Sequence, residues 1–561
     1  MERSRQDRRW ASIDRRQFLT VSGAAVAGTL ASGVLGAPRR IAAQGSTPRR
    51  GGQVIVGTSQ ESINYNPLTF VNTGPETATQ FLMFDGLWKI NEKGALVPNL
   101  AIEVPTVNNG GVSKDGLQWV IHLRKGVQWH DSQPFTAKDV KFTWETSMNP
   151  KVAARSRSGH DRVESFETPD DYTCKIRLKE PFAPYDLVWQ MTHIIPEHIL
   201  SKAPDINTAP FNTVSPIGTG PFKFVEHVGG DHITVEANKA YHGGAPYVDR
   251  VILKLVPDLT VLFTQFKTGE IDAVDIHGIL PERYAEAKTL PDRKIYTWGL
   301  QECEFIYFNN AKPQFQDKRV RQALYMAMDI DTMLKTIYYG VHVRTLSYLR
   351  PDHWAYNPNL KQYPFDPERA NRLLDQAGWR RGSDGIRAKD GVRLSFTNST
   401  TAGNKTREQA QAFLQQAWKQ IGAEMQIKDM PAAVVWGEYT TQSQFDTLLV
   451  AWGNAIASDP DVASRLHSKQ IPVEVGSGAN YVRYKSTTAD RFMEEGVRVT
   501  DRNKRREVYW KLEEVLYDEL PWAPIYAWNE IMGTKAKLQN YKPNIYVENN
   551  LWNANEWWWA A

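Results

Sequence analysis

The sequence predicts an α/β fold, and three observations predict it. Short segments alternate apolar and polar residues, capped segments repeat apolar residues at three- and four-residue spacing, and the two kinds interleave along the chain. The period-two signal is plain in LQWVIHL (117–123) and YTCKIRL (172–178), which read as half-buried strands. DKRVRQALYMAMD (317–329) places Val320, Ala323, Leu324, Ala327 and Met328 on one helical face. FDPERANRLLDQAG follows the rules of a helix with a start and a stop. Asp366 is the N-cap, Pro367 lies in the first turn, Gly378 lies past the end, and Ala370, Leu373, Leu374 and Ala377 share a face. TREQAQAFLQQAWKQIG repeats the pattern, with Thr406 and Gln409 as a capping box and Gly422 as the stop, and the strand-like AEMQIKDM follows at once. Pro/Gly-rich breaks at 203–221 and 350–367 punctuate the chain without forming long flexible linkers.

The N-terminus carries a separate message. Arg15 and Arg16 precede Gln17, Phe18 and Leu19, the R-R-x-F-L pattern of twin-arginine export. The apolar run after them is diluted by Ser, Thr and Gly, weak material for a permanent anchor of about 20 strongly apolar residues. We place cleavage after Ala43. This leader holds eight of the 67 basic and three of the 63 acidic residues, which leaves 59 basic against 60 acidic groups. A body so nearly neutral, without basic blocks, argues against nucleic acid or an anionic membrane as the main partner. At roughly 150 residues per domain, what remains suggests about three domains. Cys174 and Cys303 both sit in strand-like runs and are expected to be buried thiols and not a disulfide.

Motifs for chemistry are missing. There is no G-x-S-x-G, H-E-x-x-H, C-x-x-C or phosphate-cradling G-x-x-x-x-G-K. The closest histidine pairs, His193/His198 and His227/His232, have a five-residue spacing that does not put both rings on one helical face, so no metal site or cofactor is expected. His130 in QWHDSQPF reads as structural. Because acidic residues are numerous, a secreted glycosidase using a carboxylate pair stays open as the enzyme alternative. Eighteen of the 19 tryptophans follow the leader. Most should be packing residues, but Trp298, Trp436 and Trp452 each lie beside Gly in a break between regular elements, where an aromatic ring could line a cleft. The terminal NEWWW (555–559) reads as a lobe-capping patch.

Four stretches, in order, resemble the family 5 extracellular solute-binding proteins of ABC importers. They are DGLQWVIHLRKGVQWHDSQPFTAKDVKFTWE (115–145); GTGPF (218–222) with FKTGEIDAVDI (266–276); YFNNAKPQFQDKRVRQALYMAMD (307–329); and FDPERANRLLDQAGW (366–379). The resemblance covers roughly residues 50 to 535. It implies a two-lobed periplasmic-binding-protein-like fold (type II, cluster C) with an additional small α/β domain on the first lobe. The first lobe would comprise residues 44–90, 215–305 and 520–561, the additional domain 91–214, and the second lobe 306–519, with hinge segments near 305–310 and 518–526. It also implies a monomeric extracytoplasmic (periplasmic) protein, partnered by transmembrane permease subunits, that binds a solute and catalyses nothing.

The resemblance also locates a departure. The family's peptide binders carry W-x-x-D-Y-x-(D/E)-P, whose first Asp meets the peptide's ammonium group. Here the stretch reads AWGNAIASDPD (451–461). Trp452 is retained and Asp459-Pro460 stands for the later pair, but Asn454 or Ala455 replaces the ammonium-binding Asp, depending on a one-residue insertion. Asp459 either reaches the pocket or caps the next turn. The candidate ligand contacts are therefore Tyr65, Trp298, Trp436, Trp452, Asn454 and Asp459. Peptides lead the ligand classes, oligosaccharides stacking on Trp436 and Trp452 come second, and opine-like compounds or metal chelates remain.

Overall fold

The structure, a computed structural model, describes residues 48–70, 75–274, 278–453 and 458–561. The twin-arginine stretch and Asn454 lie outside the described residues. Its backbone is an eleven-stranded mixed sheet. The order across it is Glu424–Ile427, Ser395–Ser399, Thr447–Gly453, Arg293–Phe308, Trp522–Lys535, Ala273–Val274, Gln53–Thr58, Arg250–Leu255, His232–Ala237 and Phe222–Val228, with Val343–Arg344 added onto Trp522–Lys535.

Two strands in the middle of that order are much longer than the rest. Arg293–Phe308 and Trp522–Lys535 run antiparallel over their whole length, with register shifts at Gly299/Cys303 and Glu304/Phe305. Their ends feed different cores. Trp298 and Met532 pack with Val54, Phe222 and Val251, whereas Ile306, Phe308, Ala523 and Ile525 pack with the helix residues Leu324, Leu374 and Trp418. A third core, around Trp119, Cys174, Trp189 and Phe135, lies within residues 87–194. Its sheet is Gln118–His122 paired to Thr173–Leu178, which pairs in turn to Val163–Asp170.

The elements form for local reasons that the sequence displays. Asp317 accepts from the Arg319 N–H and starts the helix Lys318–Met326, and Val320, Ala323, Leu324 and Ala327 are buried as the spacing predicts. Asp366 caps Pro367–Gln376 through the Arg369 N–H. The next helix corrects the expected cap. It begins at Lys405, with Asn404 accepting from the Arg407 N–H, so Thr406 lies inside the first turn. Asn404 follows Gly403, whose φ of +89° turns the chain into the helix two residues before the expected start. Cys174 and Cys303 are buried free thiols.

His130 is a joint between two of the family-like stretches. Its Nδ1 accepts from the Gly218 N–H (3.2 Å) and its Nε2 lies 3.0 Å from the Gly220 carbonyl. Burial holds its pKa down at about 4, so the ring is neutral. The glycines of GTGPF answer to the backbone. A Cβ on Gly218 would lie 1.8 Å from the Met83 carbonyl oxygen, and one on Gly220 would lie 2.4 Å from the Met83 carbonyl carbon. No other residue fits there.

Candidate ligand site

The strand Thr447–Gly453 begins in the core and ends outside it. Its first four residues are buried and its last three half-buried. On one side it pairs residue for residue with 302–308, from Phe308 opposite Thr447 to Glu302 opposite Gly453. On the other side Ser395–Ser399 reaches only Thr447 and Leu448. The Thr400 hydroxyl donates to the Leu449 carbonyl at 2.8 Å, and past it Val450–Gly453 has no strand partner on that side among the described residues. An unpaired strand edge offers hydrogen-bonding groups in a fixed row. Gly453 is constrained by its neighbour: a Cβ there would lie 2.7 Å from the Gln301 carbonyl oxygen.

Aromatic and cationic groups surround this edge. Trp436, from the helical segment Val435–Tyr439, is 37% exposed and meets Trp452 edge to face, ring centres 5.1 Å apart at 79°. The Arg465 guanidinium lies 4.0 Å from the centre of the Trp452 ring, and its Nε donates to the Gly453 carbonyl at 3.0 Å. Tyr481 stands 6.4 Å from Trp452.

Residues of the long strands and the C-terminal segment approach the same region. The Gln301 amide donates to the Ile545 carbonyl (3.0 Å), and the Ser458 hydroxyl donates to the Tyr546 carbonyl (3.3 Å). At the Gly299 register shift, Arg350 fills the gap. Its Nη1 donates to the carbonyls of Trp528 (2.6 Å) and Leu300 (3.2 Å), while Asp352 holds it at 2.9 Å.

The sequence-predicted contacts divide into two groups. Trp436 and Trp452 come together at the free edge. Trp298 does not join them: it is fully buried, with its indole N–H donating to the Asn544 carbonyl at 2.5 Å. Tyr65 is fully buried as well, against Phe224 and His227. Both rings supply packing to the same core because flanking Gly or Asn residues do not prevent a large ring from turning inward. Asp459 is also fully buried. Its two oxygens receive Nη1 and Nη2 of Arg505 at 2.5 and 2.7 Å, and Oδ1 accepts the Asp461 N–H at 2.9 Å. The carboxylate thus closes a turn and anchors it to the helix Arg502–Glu519, whose Arg505 also donates to the Gly496 carbonyl. Beside it, burial pushes Asp461 up to about 6, with Asp459 adding repulsion, and burial likewise pushes Asp186 up to about 6. Arg465 and Arg350 were not legible in the sequence, because neither belongs to a motif and each acts through a partner more than ten residues away.

Comparison with known proteins agrees with this architecture. The chain is 29% identical over 524 residues to the oligopeptide-binding protein AppA of Bacillus subtilis, covering 91% of this chain and 92% of that protein. The structure of the same relative, in complex with a nonapeptide, matches with a TM-score of 0.76 over 92% of this chain and all of that one. NikZ of Campylobacter jejuni, in complex with Ni(L-His), matches with a TM-score of 0.76 at 26% identity over 90% and 99% of the two chains. The heme-binding protein A of Haemophilus influenzae is 25% identical over 448 residues, 76% of this chain and 78% of that one. Residues 95–471 match the family described as bacterial extracellular solute-binding proteins, family 5 (middle region). The family match over residues 95–471, on a fold shared across nearly the whole chain with such proteins, places it: this chain belongs to the family 5 bacterial extracellular solute-binding proteins.

Proposed function

We propose that this chain captures an extended peptide between two closing lobes and delivers it to its permease. As a family 5 protein it is the solute-binding subunit of an ABC importer and acts outside the cytoplasm. The peptide and the manner of its capture are our reading. One observation carries it. The edge Val450–Gly453 is unpaired among the described residues, and a peptide can add to such an edge as a further strand through main-chain hydrogen bonds. The likeness to a relative whose structure is in complex with a nonapeptide supports the same ligand class.

In this reading the lobes are residues 44–90, 215–305 and 520–561 against 306–519, with 91–214 as the added domain. The long strands Arg293–Phe308 and Trp522–Lys535 join the two lobes, with the hinge segments near 305–310 and 518–526, beside the Glu304/Phe305 register shift. A ligand that touches both lobes only when they are closed shifts the open–closed equilibrium by its differential affinity, and the closed form is what a permease can recognise. Export by the twin-arginine route, directed by Arg15 and Arg16, delivers the protein already folded.

Titration calorimetry with tri- to pentapeptides, beside scattering of the same samples, tests the proposal. Binding with compaction, and recovery of the peptide unchanged, is the expected result. Binding of neutral oligosaccharides in preference to every peptide would overturn it in favour of ring stacking on Trp436. Turnover above a heat-killed control would overturn binding as the activity.

A further inference from the structure

Arg465 has a free end. Its Nε is committed to the Gly453 carbonyl and its plane to the Trp452 ring. Nη1 and Nη2 make no hydrogen bond to any described residue, and no carboxylate of the described residues lies within 4.0 Å of the guanidinium nitrogens. Three more deeply buried arginines are instead matched by carboxylates. Arg407 is paired with Glu304, Arg505 with Asp459, and Arg350 with Asp352 and two carbonyls. Burial lowers the Arg465 pKa from its ordinary value, and only the fields of Tyr307, Tyr481 and Glu302 oppose that. Glu302 lies across from Gly453 in the sheet. A guanidinium offers two parallel donors on one edge, a geometry that matches a carboxylate. Stacking on Trp452 and the bond to Gly453 hold that edge in place at the end of the unpaired strand segment.

We propose that Arg465 is an anion subsite of the ligand site, where Nη1 and Nη2 receive a carboxylate of the bound peptide at the Gly453 end of the free edge. The proposal rests on the strand-addition reading of the same site and extends it to selectivity. The preferred ligand accordingly presents a carboxylate there, either its own C-terminus or an acidic side chain.

The test pairs wild type with Arg465→Gln and Arg465→Lys. Four probes are titrated by calorimetry: tetra-alanine with a free or an amidated C-terminus, and amidated Ala-Asp-Ala-Ala or Ala-Asn-Ala-Ala. Wild type should favour the carboxylate member of at least one pair by about ten- to hundredfold, the scale of a hydrogen bond to a charged group. The pair that discriminates tells C-terminus from side chain. Arg465→Gln should bind both members of that pair as weakly as wild type binds the amide, with Arg465→Lys in between. A preference that survives in Arg465→Gln, or equal binding of all four probes by wild type, overturns the subsite and leaves peptide binding intact. A second measurement decides the case in which no peptide binds. Succinate, and not succinamide, should raise the thermal unfolding midpoint of wild type and leave Arg465→Gln unmoved. Equal shifts, or none, overturn the subsite independently of the peptide reading.

Discussion

Replacing Asp459 with Asn separates two roles for the acid in the AWGNAIASDPD stretch. In the structure its carboxylate is fully buried and holds both terminal nitrogens of Arg505, at 2.5 and 2.7 Å. Asn keeps the shape and still accepts the Asp461 N–H, but it leaves a guanidinium, itself nearly buried, without a counter-charge. Removing one partner of a buried pair costs about 3–5 kcal/mol, well above the ~1 kcal/mol typical of an exposed pair. Denaturant unfolding of Asp459→Asn should show a loss of that size, with the slope unchanged. Adding Arg505→Met removes the stranded charge, so the double variant should recover a large part of the loss. Binding of a free-amine tetrapeptide, measured below the unfolding range, should stay within a few-fold of wild type, because the carboxylate faces Arg505 and not the free edge. The opposite pattern refutes the reasoning. If Asp459→Asn unfolds like wild type but loses discrimination between free and acetylated peptides, Asp459 is the ammonium partner after all.

Glu513 gives a pH-dependent outcome. It is buried in the helix Arg502–Glu519, neither oxygen meets hydrogen-bonding geometry, and burial pushes its carboxyl well above the usual range. The folded state then binds the proton more tightly than the unfolded chain. Its contribution to stability is present at low pH and is lost as pH rises from the ordinary Glu range toward the folded value. Glu513→Gln should therefore match wild type near pH 4.5 and unfold at a higher temperature at pH 8, and a difference that stays constant with pH refutes this. Gly299→Ala would put a Cβ 2.2 Å from the Arg350 guanidinium carbon; it should destabilise by roughly 1–3 kcal/mol in denaturant unfolding, and a silent substitution shows that Arg350 yields to the added methyl. Arg15→Lys with Arg16→Lys keeps the charge and loses the arginine pair, so mature protein should disappear from the extracytoplasmic fraction; normal export points to the general secretory route. Asn454→Asp should introduce about a ten- to hundredfold preference for free over acetylated peptides, read by calorimetry, if that position faces the ligand's first residue.

The parts of the molecule legible in the sequence are those whose physics is local. The helix at Pro367–Gln376 follows from a cap, a proline and a stripe of four apolar residues within one segment. The strands Gln118–His122 and Thr173–Leu178 follow from alternation within five or six residues. The capping error at Asn404 shows where local reading stops: two adjacent cap-like patterns compete, and the turn set by Gly403 selects the earlier one. The site is harder because its meaning is set by burial. Trp298 and Trp452 look alike in sequence, each beside Gly at an expected break between elements, yet both lie inside strands. One turns inward to donate to the Asn544 carbonyl, nearly 250 residues away, and the other stays half-buried with Arg465 over its face.

Charge pairing carries that argument one step further. A sequence gives the number of acids and bases but not which of them cancel. In this chain Asp459, the acid best placed by motif to meet a ligand, is neutralised by Arg505 from a helix beginning more than 40 residues later. Arg465, which no motif marks, keeps two donors unspent beside the strand edge. On the proposed reading, the electrostatic sign of the site thus differs from the one its nearest motif suggests. Buried pairs are retained or lost as units, because a lone charge in a core costs several kcal/mol, whereas an unpaired charge at a cleft costs less and is repaid by the ligand that meets it. A charge left unpaired in a half-buried position, held by a ring and a carbonyl, is therefore the group whose partner should be sought among ligands.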